Sequence, residues 1–260
     1  MFRLTREVRL SAGSPLPARR GSIQNGHAGF PQLRGPGHFL TVQVSLTGDP
    51  APKSGYLMNI KQIDEAVRTD GLPLIEEYCR RDLLGYGTMT RQLFDRLNHH
   101  WPNLDRVQIA FSPYSSWSAS ALESPMVRFN QKFEFSAAHR LHNPNLDGKT
   151  NRELFGKCNN PHGHGHNYEL EVSIAGAPDE SGQLIPVDIL EDIVIHTVIN
   201  RFDHKFLNLE TAEFAAVNPT VENIAQTIYT MLRSPIAKAG AKLAAVKVWE
   251  TPKTWCEYSE

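Results

Sequence analysis

The sequence predicts an α+β protein built of two tandem units, and three observations carry that reading. The first is an internal repeat. Phe2-Arg3-Leu4 with Val8-Arg9-Leu10-Ser11-Ala12 recurs 125 residues later as Val127-Arg128-Phe129 with Phe133-Glu134-Phe135-Ser136-Ala137. Gly35-Pro36-Gly37-His38, followed by Leu40, Val42, Val44, Leu46 and Gly48, recurs at an offset of 128 as Gly163-His164-Gly165-His166, followed by Tyr168, Leu170, Val172, Ile174 and Gly176. Val107 to Pro113 recurs as Val246 to Pro252. Offsets that drift between blocks are what insertions in surface loops produce. The second observation is that these blocks alternate apolar and polar residues, the period of a strand with one buried face. The third is helical periodicity between the second and third blocks.

Taken in order, each half reads strand, strand, helix, helix, strand, strand. In the first half, Asn59 and Gln62 suit a cap before the helical residues Ile63, Ala66 and Val67. Ser11 to Gly37, rich in Gly, Pro and Arg, reads as a long irregular loop. Ala121-Leu122-Glu123-Ser124-Pro125 is a short break, which sets the units at 1–124 and 125–260. In the second half, Asp188 to Glu191 is a capping-box pattern, with Val187, Leu190, Val194 and Val198 on one helical face. Asn218-Pro219-Thr220 opens another helix, proline suiting its first turn, and Val221, Ile224, Ala225, Ile228 and Leu232 form its apolar face.

Composition narrows the class. Apolar content of 40% and a formal net charge of −1 describe a soluble globular protein without general attraction to nucleic acid or anionic membrane. No apolar run is long enough to cross a bilayer, and the N-terminus lacks a signal-peptide core. The three cysteines, Cys79, Cys158 and Cys256, are odd in number and widely spaced, which points away from a disulfide framework and toward a reducing cytoplasm.

The chemistry concentrates in Cys158-Asn159-Asn160-Pro161-His162-Gly163-His164-Gly165-His166-Asn167-Tyr168. On a strand, His164 and His166 share a face. His139 closes the alternating run Phe133 to His139 on the face of Phe133 and Phe135. Pairing these two strands would gather three imidazoles, the ligand pattern of a catalytic zinc with one position left open. Each histidine alone fits a solvated turn or a half-buried side chain; the three together, with Cys158 nearby, favour the metal. A thiol near a dication has a lowered pKa and can act as a base, although free cysteine is commonly a buried small hydrophobe. Asp203-His204 offers a carboxylate beside an imidazole, which on a strand would face apart, so the pair needs a turn or a helix start. Glu250 ends the strand Val246 to Glu250, sharing a face with Val246 and Val248.

The run Phe135-Ser136-Ala137-Ala138-His139-Arg140-Leu141, then Cys158 to Tyr168, Asp203-His204-Lys205 and Glu250-Thr251, resembles the 6-pyruvoyl-tetrahydropterin synthase family and its relative, 6-carboxy-tetrahydropterin synthase. The resemblance spans about Val127 to the C-terminus. It implies that each half is a tunnelling-fold unit, a four-stranded antiparallel sheet with two helices on one face, and that units join into closed homo-oligomers, which removes exposed sheet edges. It implies Zn2+ held by His139, His164 and His166; proton transfer by Cys158 with Asp203 and His204; and substrate binding by Glu250 and Thr220. The implied reaction converts 7,8-dihydroneopterin triphosphate to 6-pyruvoyl-tetrahydropterin with loss of triphosphate. The carboxy-forming relative typically has three residues between the cysteine and His-Gly-His; this chain has five, Asn159 to Gly163, closer to the pyruvoyl-forming pattern. A non-catalytic pterin- or zinc-binding scaffold remains the reading of a different class.

The repeat supplies an internal control. His139 is paralleled by Ser14, His164 by Pro36, His166 by His38 and Glu250 by Phe111, while Cys158 falls opposite the region of Phe30. The first half therefore keeps one imidazole and reads as a degenerate structural partner; the alternative is that its loop, with Arg19, Arg20 and Arg34, completes the other half's pocket.

Overall fold

The computed structural model describes residues 1–13, 37–80 and 85–260. Ser14, Arg19, Arg20, Phe30, Arg34, Gly35 and Pro36 lie outside the described residues, and with them most of the comparison at Ser14, Phe30 and Pro36. The described chain is α+β with mainly antiparallel strands and forms two compact units, Met1–Phe129 with Ala175–Leu184, and Asn130–Ile174 with Ile185–Glu260. No helix among the described residues is long and apolar enough to cross a membrane.

In the first unit β1 (Phe2–Ala12), β2 (His38–Gly48), β3 (Leu104–Ala110) and β4 (Ser115–Ser120) pair antiparallel in sequential order. β1 takes in Ser11 and Ala12, which the composition of that region had suggested were loop. One sheet face carries Val8, Leu10, Leu40, Val42, Val44, Val107 and Ile109, all buried. α1 (Ile60–Ala66), a π-helical turn (Val67–Gly71) and α2 (Leu72–Arg80) follow one another without a break, and α3 (Tyr86–Asn98) packs on β3 and β4. Asn59 caps α1, its side chain accepting from the Lys61 N–H at 3.0 Å, while Gln62 takes part only through its backbone N–H, which donates to the Asn59 carbonyl at 3.0 Å. Ala175–Leu184, distant in sequence, belongs to this unit through a close backbone approach: the Gly87 N–H donates to the Gly182 carbonyl at 2.9 Å. A Cβ on Gly182 would lie 2.4 Å from the Gly85 Cα, so this contact requires glycine.

In the second unit β5 (Val127–His139), β6 (His164–Gly176), β8 (Lys242–Thr251) and β9 (Thr254–Tyr258) are neighbours in that order, and the two-residue β7 (Lys205–Phe206) pairs parallel with β5. Phe135, Tyr168, Leu170, Val172, Val246 and Val248 form the buried face. α4 (Gly148–Phe155) precedes a tight 3-10 turn, Gly156–Asn159. α5 (Val187–Val194) continues through a π-helical turn (Ile195–Ile199) into α6 (Asn200–Phe202); α7 (Leu207–Glu210) is one turn; α8 (Val221–Lys238) is the long helix. The π turns of the two units lie at the same offset, 128, that aligns His38 with His166.

Two helix starts differ from expectation. Asp188 forms no capping box: the cap is Pro186, two residues earlier, so the Asp188 carboxylate lies inside the first turn and accepts from Ile189 N at 3.0 Å. Val187, at the first helical position, is 38% exposed rather than part of the buried face. Pro219 precedes α8 instead of entering its first turn, and Thr220 is the cap, accepting from Asn223 N at 3.3 Å.

Candidate metal centre and active site

The period of two along β5 and β6 brings the three imidazoles together. His139 is the last residue of β5, and His164 and His166 open the adjacent β6. One nitrogen from each lies within 4.8 Å of the others. The close approach depends on Gly163, whose φ is +72°: a Cβ there would sit 2.9 Å from the His139 carbonyl and from the Phe206 ring.

His139 is 0% exposed, and its Nδ1 lies 2.6 Å from the Pro219 carbonyl. A carbonyl only accepts, so Nδ1 carries the proton and Nε2 presents a lone pair to the site. That Nε2 is 3.1 Å from His164 Nε2. With His139 Nε2 accepting, His164 Nε2 must donate, which strands His164 Nδ1; this atom and His166 Nε2 are buried without a hydrogen-bond partner among the described residues. Burial is the first cause that holds His139 and His166 below the usual histidine range, so both stand neutral, the form that ligates metal. Three converging imidazoles, two of them with an orphaned ring nitrogen and the third with its tautomer fixed from behind, fit a zinc-type ion.

Glu250, on the β8 face of Val246 and Val248, directs Oε1 into the same cluster, 3.3 Å from His139 Nε2 and 3.6 Å from His166 Nε2. Cys158 lies in the 3-10 turn, pinned where Leu141 N donates to its carbonyl at 2.8 Å and Asn159 Nδ2 donates to the Leu141 carbonyl at 2.7 Å. Burial, then the charge of Glu250, pushes the Cys158 thiol up. The polypeptide's own groups thus oppose the thiolate that a nearby dication would favour. Tyr168, next on the His164–His166 face, is 0% exposed, and its hydroxyl has no partner among the described residues. Burial, reinforced by Glu250 and Cys158, raises its phenol above the ordinary range.

Asp203 and His204 form the turn that their adjacency requires. Asp203 follows α6 in extended conformation and His204 takes φ +57°, which puts both side chains on one side. Asp203 Oδ1 accepts from the Ser136 N–H at 2.8 Å, and Oδ2 lies 2.8 Å from His204 Nδ1. The Ser136 N–H first, then His204, holds the Asp203 carboxyl below the usual range. His204 is exposed, and no hydrogen bond or ion pair among the described residues joins it to Cys158, Glu250 or the three ligands. It shares an open cleft of about 490 Å³ with His166, Ser136, Asn167 and Phe206. Thr220 is engaged as the α8 cap, beside the Pro219 carbonyl that orients His139. In the first unit His38 is exposed, and the Phe111 ring lies tilted by 38° against that of Tyr86, with centroids 4.5 Å apart.

The family model described as 6-pyruvoyl tetrahydropterin synthase matches residues 128–260, just over half of the chain. The chain belongs to the 6-pyruvoyl tetrahydropterin synthase family. It is 38% identical over 137 residues to 6-pyruvoyl tetrahydrobiopterin synthase of Drosophila melanogaster, covering 52% of this chain and 81% of that one. It is 29% identical over 156 residues to 6-carboxy-5,6,7,8-tetrahydropterin synthase of Haemophilus influenzae, covering 52% of this chain and 100% of that one. The solved structure of Caenorhabditis elegans 6-pyruvoyl tetrahydropterin synthase matches at 36% identity and TM-score 0.50, covering 52% of this chain and 96% of that one. These relatives support an activity of the pterin synthase kind.

Within this family member, some site residues escape a reading of sequence alone. The Pro219 carbonyl has no side-chain signal, and Tyr168 reads as one more apolar position of β6. The buried Asn159 side chain braces the Cys158 turn by donating to the Leu141 carbonyl, and the buried Asn151 side chain holds the preceding loop, donating to Asn143 O at 2.9 Å. Their only signal is a cluster of asparagines between two strands.

Proposed function

We propose that residues 125–260 catalyse zinc-dependent conversion of 7,8-dihydroneopterin triphosphate to 6-pyruvoyl-tetrahydropterin with loss of triphosphate, a carbon–oxygen lyase reaction. The observation that carries this is the cluster of three imidazoles, two of them with a buried, unpartnered nitrogen, beside Glu250 and Cys158. His139, His164 and His166 would hold the zinc, which when bound supplies Lewis acidity toward a substrate oxygen. Glu250 accepts two parallel N–H bonds from the aminopyrimidinone edge. Cys158 takes and returns protons at the substrate side chain. Asp203 holds His204 in one orientation for proton transfer at the mouth of the cleft. Thr220 keeps the first turn of α8, and with it the Pro219 carbonyl, in register with the bound ring.

In this reading residues 1–124 are a degenerate tunnelling-fold unit without a site of their own, the tandem pair assembles into a closed homo-oligomer, and the protein works in the cytoplasm. The carboxy-forming reaction on the same substrate is the second reading, favoured by the Haemophilus relative and opposed by the five-residue spacing from Cys158 to His164. Mass spectrometry of products from zinc-loaded protein and dihydroneopterin triphosphate tests both. The pyruvoyl product is expected. A carboxy product selects the second reading, and no turnover leaves a pterin- or zinc-binding scaffold.

A further inference from the structure

The repeat isolates one atom whose presence packing does not explain. Tyr168 on β6 corresponds to Leu40 on β2 at the 128 offset, and both side chains are 0% exposed. The frame is thus satisfied by a purely apolar residue here. Tyr168 keeps its ring stacked on Phe135 at 5.0 Å and 13°, a contact phenylalanine would make equally well. Its hydroxyl is buried and has no partner among the described residues. A buried hydroxyl left unpaired costs stability, and one in a native interior calls for an explanation. The ring lies 5.6 Å from that of His166 and 6.2 Å from that of His139, placing the phenol against the metal-ligand cluster.

We propose that the Tyr168 hydroxyl is a hydrogen-bond donor to an oxygen on the side chain of the bound pterin, a specificity-determining contact at the metal end of the site. This rests on the reading of the site as a pterin site. Glu250 already serves the ring's N–H edge as an acceptor and cannot donate to a substrate oxygen. Tyr168 supplies the missing donor without adding charge. The hydroxyl's cost in the free protein is recovered only when a ligand oxygen arrives, so the residue favours pterins with an oxygenated side chain over those without one.

The test compares wild type with Tyr168→Phe, both zinc-loaded, by calorimetry with sepiapterin, whose side chain carries oxygens, and 6-methylpterin, whose side chain carries none. The variant is expected to bind sepiapterin roughly tenfold more weakly, to bind 6-methylpterin as wild type does, to retain its zinc, and to melt in the free state no lower than wild type. Unchanged sepiapterin affinity overturns the proposal. So does equal weakening toward both pterins, loss of zinc, or a lowered melting temperature of the free protein, each of which marks a structural hydroxyl. If wild type binds neither pterin, the functional reading fails and this inference with it. If wild type binds both and the variant matches it, this inference alone fails.

Discussion

The two units share a frame and differ at its ends. Leu40, Val42, Val44 and Leu46 on β2 and Tyr168, Leu170, Val172 and Ile174 on β6 occupy the same buried rows, and a π turn follows α1 in one unit and α5 in the other at the same offset. The strand ends hold the contrast. Where β6 opens with two clustered imidazoles, β2 opens with the exposed His38; where the end of β8 sets Glu250 against those rings, β3 is followed by Phe111 packed against Tyr86. Apart from the hydroxyl of Tyr168, the core rows exchange one apolar side chain for another, as a closed interior requires. Strand ends lie outside that constraint, so chemistry can be held or lost there without disturbing the fold.

The sharpest way to break this contrast is to count metal. One zinc per chain is expected, and His164→Ala with His166→Ala should abolish binding while the first unit stays folded. Elemental analysis with circular dichroism checks both. Two equivalents in wild type would mean that the first unit also holds a site, and full retention in the double variant would remove the ligand assignment.

The next largest effect concerns Cys158. Cys158→Ala should keep its zinc and lose about 10²- to 10⁴-fold in turnover, the range of a general acid–base group. Wild-type rates would show that the thiol is only a buried small side chain, and a lost metal would make it a ligand.

Glu250 sharpens the comparison from the other side. Glu250→Gln should weaken sepiapterin binding by about 1–3 kcal/mol, because one of two parallel acceptors becomes a donor. Phe111→Glu should create no second binding equivalent, since the cluster that surrounds Glu250 has no counterpart among the described residues of the first unit. Calorimetry reads both, and a second equivalent in Phe111→Glu would place more of a site in the first unit than its side chains indicate.

Strands and ligand rows were legible because alternation is a strong signal over eleven or more residues, and because His164, Gly165 and His166 can only face alternately. The π turns were not, since one extra residue in a helix barely moves a 3.6-residue pattern. Nor were contacts made through backbone: Pro219 O on His139, Ser136 N on Asp203, and Gly182 O on Gly87 depend on where a carbonyl or N–H arrives in space. Asp188 misled for a related reason. Its spacing to Glu191 fits a capping box, but Pro186 had already fixed the entry to α5. Gly163 was visible as a glycine, yet its role, making room for the His139 carbonyl and Phe206, needed the three-dimensional neighbours.

The smallest expected effect lies on the sheet face opposite the core. Glu171 on β6 corresponds to Gln43 on β2, whose amide donates to Glu7 Oε2 at 3.2 Å. Burial raises the Glu171 carboxyl above its usual range; Lys132 on β5 and Lys247 on β8 counter this in part, while Glu257 on β9 and Glu169 add to it. A carboxyl raised in the folded state holds its proton more tightly there than in the unfolded chain. Stability is therefore greatest below the unfolded value of about 4.3 and declines as pH rises through the window up to the raised value. Above that window the charged form is a constant liability that glutamine lacks. Glu171→Gln should thus gain stability at neutral pH, by no more than about 0.5 kcal/mol for a half-buried position, and the gain should vanish below about pH 4. Denaturant melts at pH 7 and pH 4 measure the difference. A loss at neutral pH would mean that Lys132 and Lys247 outweigh burial, and that the second unit keeps this charge for its pairing rather than in spite of its cost.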